Sequence, residues 1–426
     1  MKRLKCFLWT VALITCFFVF QVHSLPIGNP VTPHNMVKKL SVGFDCDWSG
    51  TGIATRTFSY LIPRDLKAAG YNTVRIRTQL PADNTLFSTL DTHIDTAIAE
   101  KLVVVLAFGA KDAELASTDG EAKRIVRNWW SKVASRYKND SYKLVFNLLI
   151  EPSGRLKDVD LINTIYKQTI DEIRITNPYR ILIPAAPSGS QPGSLCDLDL
   201  NMWYDDYIII EWHIYAAGPN NRPTSKKYWT TGTLEDRNRV LNILGDAEQW
   251  INDNPGCKTW VGAWMPGNYN ADDPRLNIPN QVKFATFFTR ELNRLNVPFC
   301  VNTISKLYDR EKKEWYENNS GGTLGGMPVR DIIVNPNQAS FYTESGYGGK
   351  GVRLGVGKYR MSDLEDLGLA DKISSLMVPW GFKVKVYKNG DFSGGSEIFT
   401  KTKASLSSIG FDDCILSLKV IDTGTY

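Results

Sequence analysis

Eight short runs rich in Val, Ile and Leu, each followed by a stretch of helical spacing, restrict what this chain can fold into. The runs fall at 40–47, 72–77, 102–108, 144–150, 180–186, 207–215, 259–263 and 297–302. Between them apolar residues recur at intervals of three and four, as in Ile125, Trp129, Val133 and Tyr137, or Phe284, Phe288, Leu292 and Leu295. Strands that are apolar throughout are buried on both faces, which belongs to a parallel sheet covered by helices. Eight such units close on themselves more readily than they stay open. The predicted fold class is α/β, a (β/α)8 barrel over residues 37–316.

Barrels of this kind place their chemistry where the strands end. The stretch Lys143-Leu-Val-Phe-Asn-Leu-Leu-Ile-Glu-Pro152 is an apolar strand that stops on one carboxylate, and a buried carboxylate without a partner is costly. Two further strands end in Glu211-Trp-His-Ile-Tyr215 and in Val261-Gly-Ala-Trp264. The polar and aromatic residues at such ends are Asp47, Arg75 or Arg77, Glu151, Glu211, His213, Tyr215, Trp264 and Asn302. Alternation along a strand points Glu211, His213 and Tyr215 the same way. Paired carboxylates among aromatic and basic groups suit glycosidic bonds, which need a protonated acid and a second carboxylate.

These residues carry a resemblance to glycoside hydrolase family 5, the cellulase-like barrel enzymes, over about residues 37–315. Asn72-Thr-Val-Arg-Ile76 resembles the second-strand motif, with Arg75 as the active-site arginine. Phe146-Asn-Leu-Leu-Ile-Glu-Pro152 resembles the acid/base motif, which makes Glu151 the acid/base, and His213-Ile-Tyr215 resembles the pair that meets sugar and nucleophile. Arg75, His213, Tyr215, Trp264 and Asn302 are the expected substrate-binding residues. The chain departs from the family at Ile150, where an asparagine is usual, and at Ala263, which stands where the nucleophilic glutamate should be.

Glu211 is the candidate to replace that glutamate, as base or nucleophile; the alternative is a structural glutamate paired with Arg75 or Arg77. Apolar Leu149 and Ile150 are expected to raise the pKa of Glu151 and suit it to be the acid. A Glu151–Glu211 separation of about 5 Å would mean retention, and roughly 6.5–9.5 Å inversion. The expected function is hydrolysis of a β-linked polysaccharide or oligosaccharide without a cofactor. The alternatives are a pseudo-glycosidase that binds carbohydrate without cutting it, and a stress or defence protein.

Residues 1–24 read as a secretory signal: Lys2, Arg3 and Lys5 precede an apolar run that ends near Ser24. The expected protein is therefore extracellular, off the membrane after cleavage, and monomeric. Two of the seven cysteines lie in that segment; the five others allow one or two disulfides. A net charge of +5 with scattered basic residues gives no reason to expect nucleic acid, and the four histidines lack metal-ligand spacing.

Beyond a glycine-rich linker at 317–338, helical periodicity stops. Tyr342, Tyr347 and Gly349 recur as Tyr387, Phe392 and Gly394, and each copy closes on a related stretch, Ala370-Asp-Lys-Ile-Ser-Ser375 and Asp412-Asp-Cys-Ile-Leu-Ser417. Two such units predict a small all-β Greek-key domain over 339–423. The repeat resembles the βγ-crystallin domain. That resemblance implies a calcium site built from both closing stretches; each lacks one group, so at most one weak calcium ion is expected, at Ser374 and Asp413.

Overall fold

The computed structural model describes residues 28–46, 48, 58–214, 229, 231–267, 277–318 and 324–424. The signal segment, Asp47 and Tyr215 lie outside them. Eight parallel strands follow one another, each leading into helix: β1 (Val42–Cys46), β2 (Thr73–Thr78), β3 (Val103–Phe108), β4 (Leu144–Asn147), β5 (Leu182–Ile183), β6 (Ile209–Ile214), β7 (Lys258–Trp264) and β8 (Phe299–Asn302). Hydrogen bonding runs β5-β4-β3-β2-β1-β8-β7-β6, and isolated parallel bridges Leu182–Ile208 and Ala185–Glu211 nearly close the ring.

Every strand is buried almost throughout, as unbroken apolar runs require. Outward side chains such as Phe44, Val74, Val104, Phe146 and Val261 pack against the helices, while Val103, Val105, Val145, Ile181, Ile183, Ile209 and Trp260 form an inner cluster. Met36 and Leu40 join that inner cluster from the first helix, Pro33–Leu40. They plug the bottom of the barrel.

One irregularity positions the site. In β7, Trp212 pairs with Val261 but His213 pairs with Ala263, so Gly262 is an extra residue; against β8, Val261 meets Phe299 and Trp264 meets Val301. Such a bulge re-aims the residues after it.

The expected linker is largely structure. Helix Gly326–Val334 is buried along one side, and Tyr342 donates to its Asp331 at 2.8 Å. Arg290, on the helix Ile278–Arg294, donates to the carbonyls of Pro336 and Trp380, both at 3.2 Å, and lies over Phe382. Barrel and C-terminal region are thereby joined by buried contacts instead of a free tether.

After the small hairpin β9 (Tyr308–Asp309) and β10 (Glu314–Trp315), the C-terminal region forms two antiparallel sheets. One is β12 (Gly351–Leu354), β11 (Ala339–Tyr342) and β14 (Ser375–Met377); the other is β13 (Gly357–Tyr359), β17 (Ser417–Asp422), β15 (Phe382–Tyr387) and β16 (Ser396–Phe399). They enclose a core of their own that includes Phe341, Ile373, Val384 and Leu418.

The internal repeat has a matching geometry. Tyr342 meets Tyr347 edge-on at 5.7 Å, and Tyr387 meets Phe392 edge-on at 5.9 Å. Ser375 accepts from the Tyr347 N–H and donates to the Glu344 carbonyl; Ser417 does the same for Phe392 and Asn389. A glycine is needed after each ring because Gly349 and Gly394 have φ of 69° and 75°.

Candidate functional site

Polar side chains from β1, β2, β4 and β6 converge inside the barrel's upper end. Arg75 on β2 is fully buried, with Nε and Nη2 donating to Asn147 Oδ1 at 3.1 and 2.8 Å. Its Nη2 stands 2.6 Å from Glu211 Oε1, and its guanidinium lies over the Trp260 ring beneath. Asn147 uses its amide to donate to Glu211 Oε2 at 2.6 Å. Above them, His213 spans the two glutamates: Nε2 is 2.6 Å from Glu211 Oε1 and Nδ1 is 2.9 Å from Glu151 Oε1.

The electrostatics follow from that stacking. Burial alone would keep the His213 ring neutral, but Glu211 and the hydrogen bonds to both carboxylates raise its pKa above the ordinary 6.5. Burial likewise pushes the Glu151 carboxyl up, yet the His213 bond and the charges of His213, Arg75 and Arg77 win, and its pKa is lowered. Asp45 on β1 pairs with Arg77 at 2.9 Å; here burial prevails and its pKa is raised. The result is an alternating line of acidic and basic side chains, Glu151, His213, Glu211 and Arg75.

Glu151 is the member of this line that meets solvent, with its side chain 46% exposed. Its φ of 46° is unusual for a glutamate and swings the carboxylate off the strand axis toward the mouth. β4 itself ends at Asn147, and the backbone continues as an irregular extension held by Leu148 N–H to Ile183 and Ile150 N–H to Phe108.

Several expectations need correction. Glu211 is 0% exposed, with both oxygens occupied, so it is not placed to attack a sugar or activate a water. The imidazole of His213 fills the space between the two carboxylates, where a sugar or water was expected. Glu151 has a lowered pKa, not a raised one, because charged neighbours outweigh Leu149 and Ile150. Arg75 at 0% and His213 at 3% are buried, against the direct substrate contact expected of them.

Trp264 is not a sugar platform either. The bulge returns it to the outer face of β7, where it packs on Phe284, Phe288 and Phe299. Trp48, Trp212 and Trp229 are also fully buried. Asn302 lies at the end of β8, 8% exposed. Cys196, Cys257, Cys300 and Cys414 form no disulfide, against the one or two expected.

Asn147 and Asp45 were missed by sequence reasoning. Each is a lone polar residue in an otherwise apolar strand, a signal as strong as the one that marked Glu211. In the C-terminal region, Ser374 Oγ donates to Asp413 Oδ1 at 3.0 Å, so the two residues proposed for calcium do meet. They offer one carboxylate and one hydroxyl, few of the six to eight oxygens calcium takes. No group of three or more His, Cys, Asp or Glu suited to a metal occurs among the described residues.

Residues 38–298 match the cellulase family, glycosyl hydrolase family 5. Endoglucanase H of Acetivibrio thermocellus is 25% identical over 247 residues, 54% of this chain and 26% of that protein. Endoglucanase B of Clostridium cellulovorans is 21% identical over 61% of this chain and 66% of its own length. The chain thus spans about a quarter and about two thirds of these relatives. A further 81 residues, 19% of the chain, are 32% identical to a development-specific protein S homolog of Myxococcus xanthus, covering 46% of it. Among solved structures, a hyperthermophilic endo-β-1,4-glucanase superposes with a TM-score of 0.59 at 21% identity, covering 68% of this chain and 98% of that one. A broad-specificity endoglucanase from Clostridium acetobutylicum gives 0.59 at 18% identity, with 72% and 100% covered.

Proposed function

This chain belongs to the cellulase family, glycosyl hydrolase family 5, and on that premise we propose that its barrel mouth binds a β-linked glucan without cleaving it through Glu211. The observation that carries this reading is the state of Glu211, fully buried and bonded on both oxygens to Arg75, His213 and Asn147. The usual route needs two carboxylates free to flank the scissile bond. Of the two glutamates it is Glu151 that faces solvent, and its lowered pKa keeps it an acceptor of sugar hydroxyls rather than a donor of protons.

In this reading the buried part of the line holds Glu151 in place and the sugar meets only its outer end. Charged hydrogen bonds of this kind contribute about 1.5–3 kcal/mol each. Titration calorimetry with cellohexaose tests it: Glu151→Gln should weaken binding about tenfold. Undiminished affinity in that variant would remove Glu151 from the binding site.

Hydrolysis with Glu151 as general acid/base is the second reading. It is favoured by the endoglucanase relatives and by the left-handed backbone that Glu151 keeps at the strand end, a strain that clusters at functional positions. Secretion after loss of residues 1–24, a βγ-crystallin character for the C-terminal region and one weak calcium ion at Ser374 and Asp413 complete the proposal.

A further inference from the structure

Three lysines stand side by side across the outer face of the four-stranded sheet. Lys358 of β13 pairs with Lys419 of β17, and Lys419 pairs with Lys385 of β15. Neighbouring strands lie about 4.8 Å apart, so the three lysines are rooted in one row perpendicular to the strands. Lys383, two residues along β15, extends the same face. Ile398 opposite Lys385 is 50% exposed, and Ile421 lies opposite Lys383.

Like charges directly opposite one another destabilise a sheet. No ion pair relieves any of these four lysines among the described residues. Lys385 and Lys419 instead each lie 5.1 Å from the Tyr387 ring centre, and Lys419 lies 4.9 Å from that of Phe392. Arg360 also lies over Phe392, at 5.6 Å. The acids nearby are Asp363, which accepts from the Arg360 backbone N–H, and Asp391; both sit beside Arg360, at the margin of the row. Among the described residues the row is left with positive charge and no acid paired to it.

We infer that this face binds an acidic polysaccharide of uronate type, laid across the strands with its carboxylates on the lysine row. The spacing of the strands that carry the lysines is close to the length of one hexose unit, so a polymer with one carboxylate per residue matches the row. Ile398 and Ile421 supply apolar surface for the C–H faces of the sugars. Tyr387, 6% exposed and already covered by two amines, offers no platform for a stacked base, which single-stranded nucleic acid would use. This face belongs to the C-terminal sheet and does not depend on what the barrel mouth does.

The full-length protein is titrated with polygalacturonate at low salt, beside a short DNA duplex and phosphatidylserine vesicles. Changing Lys358→Gln, Lys385→Gln and Lys419→Gln together should weaken polygalacturonate binding at least about tenfold. The same variant should melt no lower than the wild type, since cross-strand repulsion is removed. Changing Lys123→Gln, Lys132→Gln and Lys138→Gln on the barrel removes equal charge and should leave the affinity within about twofold. Unchanged binding by the row variant overturns the inference. So does an equal loss in the barrel variant, or a duplex or vesicle that binds as tightly as the polyuronate.

Discussion

The carboxylate of Glu211 fills the space into which a side chain at position 262 would project: a Cβ built on Gly262 overlaps it. The bulge in β7 and the carboxylate from β6 are therefore one arrangement. In Gly262→Ala the added methyl must displace Glu211 from Arg75 and His213. Separating a buried pair by disturbing one partner costs about 3–5 kcal/mol. Urea unfolding of this variant should show a loss of about 3 kcal/mol; wild-type stability would mean that the carboxylate retreats without cost.

Two histidines should titrate on opposite sides of the ordinary value of 6.5. His213 is raised by its carboxylates, whereas burial of His93 between Trp48 and Phe58 lowers it to about 4. Proton NMR of the imidazole resonances reads both: His213 still charged above pH 6.5, His93 still neutral below it. In Glu211→Gln the His213 midpoint should fall. A midpoint unchanged by that substitution would contradict the line of charge.

Stability follows with definite signs. The raised pKa of His213 contributes stability that is complete below 6.5 and is lost as pH climbs through its folded value. His93 acts in the other direction: its contribution is present above 6.5 and is lost as pH falls to about 4. Glu151 adds to the acid-side loss, since its lowered pKa helps above 4.5 and ceases to help as pH drops through the folded value. Melting temperature against pH should decline on both sides, and Glu211→Gln should flatten the alkaline side.

Much of this was readable from the residues. Eight apolar runs separated by helical spacing define a parallel barrel almost unaided, and the repeat of Tyr342 and Tyr347 in Tyr387 and Phe392 foretold two matched hairpins. The site was legible as a list and not as an arrangement. Glu151, Glu211, Arg75 and His213 do converge, but burial depends on a bulge at Gly262 that a glycine in a strand only hints at. That same bulge turned Trp264 away from the mouth. The pKa of Glu151 was misjudged because its sequence neighbours are apolar while its spatial neighbours are charged.

Calcium at Ser374 and Asp413 is tested by melting the protein with the ion and with chelator. A weak site filled at tenfold excess over its Kd would add about 1.4 kcal/mol, a shift of a few degrees. Asp413→Ala should abolish the shift. Identical melting curves with calcium and with chelator would remove the ion from the account.

Release of new reducing ends from cellohexaose and from soluble β-glucan, measured beside binding of the same sugars, decides whether Glu211 takes part in any cleavage. With Glu211 locked in its buried bonds, binding should saturate and no turnover should depend on that carboxylate, so that wild type and Glu211→Gln give the same product trace. Turnover by the wild type that disappears in a correctly folded Glu211→Gln variant would contradict it.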